Sequence, residues 1–210
     1  MKEYNFQKME KKLKKYMDED RFIHTQGVMY TACALAMCHD EDLAKARLAG
    51  LLHDCAKCIP NPKKLKLCKR ENIPVTDTEL ASPYLLHAKL GVYIAREKYE
   101  VTDRDVLSSI RYHTTGRPEM SRLEKIIYIA DYMEPGRDKA PNLPEVRRLA
   151  FRDLDETMYV ILRDTLAYLE GGEGTIDRTT EKAYQYYREI HEKKEGTHDR
   201  NIEKNGPARL

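Results

Sequence analysis

The sequence has no long apolar run, no one-sided charge and no cysteine framework, and each absence removes a class of protein. No stretch approaches the roughly 20 apolar residues of a membrane span, and the opening MKEYNFQKMEKKLKKYM has no continuous apolar core, so no signal peptide is expected. The formal net charge over 210 residues is +2, too small to argue for a nucleic-acid surface. Five cysteines, an odd number without framework spacing, predict reduced thiols in a cytosol. Cys55 and Cys58 form C-x-x-C, but the βαβ setting of a redox pair is missing and no redox role is assigned. Alternating strand patterns are scarce, and no internal repeat or domain break is found.

What remains is helical periodicity. Charged residues make up 34% and are mixed in sign, which suits solvated helix faces. Phe6, Met9, Leu13 and Tyr16 mark one face of a first helix. A second is expected over about 21–38 with Phe22, Val28 and Leu35, and a third from about 42 to 54. In SPYLLHAKLGVYIAREKY, Ser82 is read as an N-cap and Pro83 as the first helical residue. Ser121 and Glu124 have capping-box spacing, and Pro135 follows that helix. Two long helices follow, about 153–170 closed by Gly171-Gly172, and about 179–194. The expectation is one all-α domain over 1–195, its core about 20–190, with a disordered tail over 196–210.

The informative residues are polar ones in apolar settings. Of seven histidines, His39, His191 and His198 lie among charges and read as surface residues. The others are His24 in RFIHTQGV, His53 in GLLHDC, His87 in YLLHAKLG and His113 in IRYHTTG. Asp131 stands in IIYIADYM, the most apolar window of the chain. Singly, each is more often a hydrogen-bonded core residue than a ligand. Together with Asp54, four imidazoles and two carboxylates inside one helical domain are costly unless they share a compensating charge, which a metal ion supplies. His53 and Asp54 are adjacent and project about 100° apart, so they meet one ion only near a helix end. CAKCIPNP, with Pro60 and Pro62, is consistent with that end. Imidazole plus carboxylate without thiolate suits iron, manganese, zinc or cobalt. Six ligands exceed a closed four-ligand zinc site; they suit two metals that share a carboxylate and activate water for phosphoryl displacement.

The order His24, His53-Asp54, Asp131 resembles the HD-domain metal-dependent phosphohydrolases, and His87 and His113 resemble the extra histidines of their dinuclear members. HDCAK, HTTG at 113–116 and KIIYIADYMEPGR at 125–137 are similar to the YqeK family, bacterial enzymes that split diadenosine tetraphosphate symmetrically into two ADP. The resemblance runs from about 21 to 187 and implies a helical bundle enclosing a dinuclear centre. It places His24, His53, Asp54 and Asp131 on one iron, and Asp54, His87 and His113 on a second, with Asp54 bridging. Iron is the family's metal; the residues alone leave manganese and zinc open.

The resemblance also implies Asp54, Lys57 and His87 at the reacting phosphate, with Arg21 and Thr114 at the same mouth. Lys57 sits three residues after Asp54, in reach of a phosphate, although a cation there also suits a helix C-terminus. Arg137 offers a bidentate fork or is an ordinary loop arginine. Ile176, Arg178 and Thr179 would contact base or ribose, but Gln185 stands after Ala183-Tyr184 where the family has asparagine. The implied partner is a dinucleoside polyphosphate or an ADP- or GDP-like nucleotide, with no nucleic acid and no membrane, in a bacterial cytoplasm; a homodimer is common at this size. The alternatives are an HD phosphohydrolase acting on a nucleoside monophosphate or guanosine tetraphosphate, and a non-catalytic nucleotide-binding module, which the full ligand set disfavours.

Overall fold

Aspartate, serine and threonine caps start most of the helices in the structure, a computed structural model that describes residues 4–172 and 176–204, with side chains to 196. In chain order these are α1 Phe6–Leu13, α2 Glu19–Cys38, α3 Leu43–Leu52, α4 Asn61–Arg70, α5 Asp77–Ala81, a 3-10 turn Pro83–Leu85, α6 Leu86–Tyr99, α7 Arg104–Tyr112, α8 Arg122–Met133, α9 Leu143–Leu149, α10 Leu154–Glu170 and α11 Arg178–Lys204. Asp18 accepts the Arg21 N–H, Asp42 the Lys45 N–H, and Asp153 those of Asp155 and Glu156. Ser121 and Glu124 form the expected capping box. No strand occurs among the described residues, and no described helix is long and apolar enough to cross a membrane.

Two helices sit at the centre. α3 is apolar on nearly every side, with Ala46, Leu48, Ala49, Gly50, Leu51 and Leu52 all buried, the mark of a helix wrapped by others. It packs against α2, α7 and α8. A Cβ on Gly50 would lie 2.8 Å from the Met29 Cα, so only glycine lets α2 and α3 approach this closely. That approach brings the helix of His24 against the helix that ends at His53. α8 buries Leu123 and Ile126 to Ala130 in the same core. Each buried leucine or isoleucine contributes roughly 1.5–3 kcal/mol over leaving it exposed, so both frames of the site are firmly held. The buried Glu124 on α8 is neutralised by a fork from Arg117, Nε to Oε1 at 3.0 Å and Nη2 to Oε2 at 2.7 Å.

Several boundaries differ from the sequence expectation. α1 ends at Leu13, and Tyr16 is exposed, with the Lys98 ammonium 5.3 Å from its ring centre. Ser82 makes no side-chain cap; the Thr76–Glu79 capping box starts α5, Ser82 closes it through its own N–H to Thr78, and the Pro83–Leu85 turn precedes α6. α4, α5, α7 and α9 are helices beyond those assigned from the sequence pattern. α11 continues past 194 to Lys204. Of the tail expected over 196–210, residues 205–210 lie outside the described residues, as do the side chains from 197 on, His198 among them.

Candidate metal centre

Four of the five segments that build the site are helix ends. His24 lies in the second turn of α2, His53 and Asp54 in the turn directly after α3, and His87 in the first turn of α6. His113 follows α7, and Asp131 is in the last turn of α8. All six predicted ligands converge. The Asp54 Oδ1 is 3.3 Å from His87 Nε2 and 3.4 Å from His113 Nε2, while Oδ2 is 3.6 Å from His53 Nε2. His24 Nε2 is 3.0 Å from Asp131 Oδ1, which is 3.9 Å from His53 Nε2. Ligand atoms of His24, His53 and Asp131 lie within 4.8 Å of one another, and so do those of His53, Asp54 and His113. His87 closes the second group, its Nε2 3.1 Å from that of His113.

The hydrogen bonds fix which nitrogens face inward. His53, His87 and His113 each donate Nδ1–H to a backbone carbonyl three residues earlier, Gly50 at 2.7 Å, Tyr84 at 2.6 Å and Ile110 at 2.8 Å. A carbonyl only accepts, so each ring carries its proton on Nδ1 and turns a bare Nε2 to the centre, the tautomer that binds a metal. His24 instead lies between two carboxylates, with Nδ1 3.0 Å from Glu134 Oε1. A neutral ring satisfies one of them; its other nitrogen then faces an anion unless a cation intervenes.

Acceptors outnumber donors. Arg21 Nη1 donates to Asp54 Oδ2 at 2.8 Å, Lys57 Nζ to His87 Nε2 at 3.2 Å, and Arg137 Nη2 to Asp131 Oδ1 at 2.6 Å. The Thr114 hydroxyl lies 3.1 Å from His87 Nε2 and 3.0 Å from His113 Nε2, but has one proton for two nitrogens. His53 Nε2 and Asp54 Oδ1 are left buried and unpartnered. Such orphans cost about 1–3 kcal/mol each, more when charged. A divalent cation satisfies both, so the residues fit the metal centre the sequence implies.

Electrostatics favour the same state. Burial pushes His53 down to about 4 despite the Asp54 and Asp131 carboxylates, and pushes His87 down to about 4 despite the nearby Asp54 carboxylate. For Asp54, burial pushes upward, but the neighbouring imidazoles of His53, His113 and His87, and the Lys57 ammonium, hold it well below the usual carboxylate range. Asp131 is likewise held low against burial, by its bond to His24 and by His53. Near neutral pH His53 and His87 are thus neutral and Asp54 and Asp131 ionised, the protonation states a metal requires.

Around this cluster the predicted phosphate contacts Arg21, Lys57, Thr114 and Arg137 all touch a ligand residue. Ile176, Arg178 and Thr179 line another cleft with Thr76, Asp77 and Thr78, and that cleft shares no lining residue with the one beside Asp131. Cys55 and Cys58 diverge, toward the Gly91 carbonyl and Asp18 respectively. His39 bonds the Ala150 carbonyl and His191 pairs with Glu156, both away from the centre. Sequence reasoning missed Glu134 and Arg147. Glu134 is 4% exposed and accepts the Gly136 N–H on Oε2. It packs where a Cβ on Gly27 would collide with its carboxylate, so that glycine leaves its room. Arg147 pins the loop, donating to the carbonyls of Met133, Glu134 and Arg137.

An all-helical domain that gathers histidines and aspartates at helix ends defines the HD class of metal-dependent phosphohydrolases, and the HD-domain family profile matches residues 21–136. The chain is 41% identical over 157 residues to the symmetrical bis(5'-nucleosyl)-tetraphosphatase of Bacillus subtilis, covering 75% of this chain and 83% of that one. It is 34% identical to the protein of that name from Staphylococcus aureus, covering 87% and 94%. The crystal structure of a predicted HD superfamily hydrolase involved in NAD metabolism, from Clostridium acetobutylicum, superposes with a TM-score of 0.86 at 39% identity, covering 90% of this chain and all of that one. The chain therefore belongs to the HD-domain family, in its YqeK branch of symmetrical bis(5'-nucleosyl)-tetraphosphatases.

Proposed function

We propose that this protein hydrolyses diadenosine tetraphosphate at its central anhydride, releasing two ADP, and that its cofactor is a pair of divalent cations, most simply iron. The observation that carries the proposal is the inward-facing set of bare nitrogens and carboxylate oxygens, with Nε2 of His53 and Oδ1 of Asp54 unpartnered. His24, His53 and Asp131 would hold one cation, and His87 and His113 the other, with Asp54 shared. Bound there, a divalent pair supplies Lewis acidity toward phosphate oxygen and water. The protein's own side chains do the rest. Lys57 and Arg137, spaced on opposite sides of the cluster, neutralise the tetraphosphate and the charge that develops on the leaving ADP. Arg21, 28% exposed, moves from Asp54 to a phosphate oxygen when the carboxylate is otherwise occupied. Thr114 donates its one hydroxyl proton to substrate once His87 and His113 are satisfied elsewhere. Imidazole and carboxylate also accept manganese or zinc, so metal analysis of protein purified without added metal decides the ion.

The direct test pairs that analysis with His53→Ala: metal and turnover vanish together, and retention of full turnover would sink the assignment. A second reading is a mononucleotide substrate from cofactor metabolism. The likeness to the Clostridium acetobutylicum protein, described as a hydrolase involved in NAD metabolism, favours it. Product analysis separates the two. ADP as sole product from the dinucleotide supports the first, while orthophosphate or pyrophosphate released from a mononucleotide supports the second.

A further inference from the structure

Two clefts lie side by side on the Asp131 side of the centre. The inner one, about 460 Å³, includes His113, Asp131 and Arg137 in its walls. The outer one, about 430 Å³, runs to Tyr168. They share Tyr132, Lys139, Ala140 and Thr165 as walls, so the outer cleft lies directly beside the inner one. Chemistry changes from one to the other. The cations Arg137 and Lys139 stand at the inner end and the shared wall. Farther out the carboxylate of Asp164 is already tied, by Asn142 Nδ2 at 2.5 Å and Arg163 Nε at 2.7 Å. At the rim Tyr168 is 82% exposed, an aromatic residue open to a planar group. Cations and then an aromatic face match a phosphate chain that ends in a nucleoside. Central cleavage of a two-ended substrate needs room for two such halves; if the sequence expectation puts one in the cleft at Ile176, Arg178 and Thr179, the other needs a place of its own.

We propose that the outer cleft is a nucleoside subsite for one half of the dinucleotide, with the base stacked on Tyr168 and Lys139 on its nearer phosphate. This inference rests on the dinucleotide reading above. It is tested on the metal-loaded full chain by measuring dissociation constants for a centrally methylene-bridged diadenosine tetraphosphate and for adenosine 5'-tetraphosphate. Tyr168→Ala should weaken the bridged dinucleotide about tenfold, the order of one lost base stack. It should weaken adenosine tetraphosphate by no more than about twofold, because the single nucleoside still has the other cleft. Tyr168→Trp should restore dinucleotide binding. An unchanged dinucleotide affinity in Tyr168→Ala, or an equal loss for both ligands, overturns the subsite. Wild-type protein that binds the bridged analogue yet leaves the natural dinucleotide uncleaved overturns the reaction instead, and the affinity ratio still judges the subsite.

Discussion

The two halves of the metal centre are built on different principles. On the Asp131 side, His24 is held by a carboxylate, Glu134, and the half is partly open, with the Asp131 side chain 21% exposed. On the His87 side, both imidazoles are held by neutral backbone carbonyls and are buried, and their inward nitrogens are shared with Lys57 and Thr114. The first half carries more negative charge, with Asp131 and Glu134 both against His24, so it should hold its cation more firmly. The second half reaches full negative charge only through Asp54 and keeps two donors that substrate can recruit. Firm binding and substrate response are thus divided between the sides, and Asp54 joins them.

Asp54→Asn attacks both halves at once and should have the largest effect. Removing the shared charge is expected to empty the centre and cut turnover by on the order of 10³-fold or more, since metal and electrostatic stabilisation fall together. Metal analysis alongside ADP release checks it; a variant with both cations and near-normal rates would remove Asp54 from its joining role. His87→Ala attacks one half. Bound metal should fall to about half the wild-type stoichiometry while the His24 side keeps its ion, with activity lost by roughly 10²-fold. Complete loss of metal would show that the two halves do not bind independently.

How the ligands came to be legible explains what stayed hidden. His24, His53, His87, His113, Asp54 and Asp131 stand out because a polar group in an apolar window is costly without a partner, so the anomaly is printed in the sequence itself. The central helices α3 and α8 are legible for the complementary reason, as their apolar residues have no other use. Glu134 has no such mark. In MEPGR it reads as one more surface charge, and only its three-residue spacing from Asp131 hints that it turns inward. Its space comes from Gly27, more than a hundred residues earlier, and its loop is set by Arg147; such tertiary facts leave no local pattern. Helices such as α4, NPKKLKLCKR, escape the pattern because they are short and charged and are held by packing more than by an apolar stripe.

The metal-free protein should expose the buried imidazoles of both halves through pH. His53 and His87 have folded values of about 4, against about 6.5 for an unperturbed imidazole. Between those values the unfolded chain binds more protons than the folded one, so stability falls as pH drops from 6.5 toward 4. Each shift is worth at most on the order of 3 kcal/mol. The melting temperature of chelator-treated protein should therefore fall steadily through that window, and less steeply in His87→Ala. A flat profile would mean that these imidazoles are not held neutral by burial.

Glu134→Gln tests the open side alone and should be the gentlest of these changes. The glutamine keeps the shape that Gly27 makes room for, and one amide oxygen replaces two carboxylate oxygens. That oxygen can serve His24 Nδ1 or the Gly136 N–H, whereas Glu134 serves both, at 3.0 Å and 2.6 Å. The substitution removes a negative charge behind His24 without removing any ligand. Metal affinity on the His24 side should weaken by about 10–100-fold, the usual cost of an outer hydrogen-bond partner. Affinity on the His87 side and the thermal stability of the metal-free protein should change little. Titration with a divalent metal, resolved into its tighter and weaker steps, reads this directly: the tighter step should move toward the weaker one, leaving the two halves more nearly equal. If the weaker step moves instead, carboxylate support does not account for the difference between the halves.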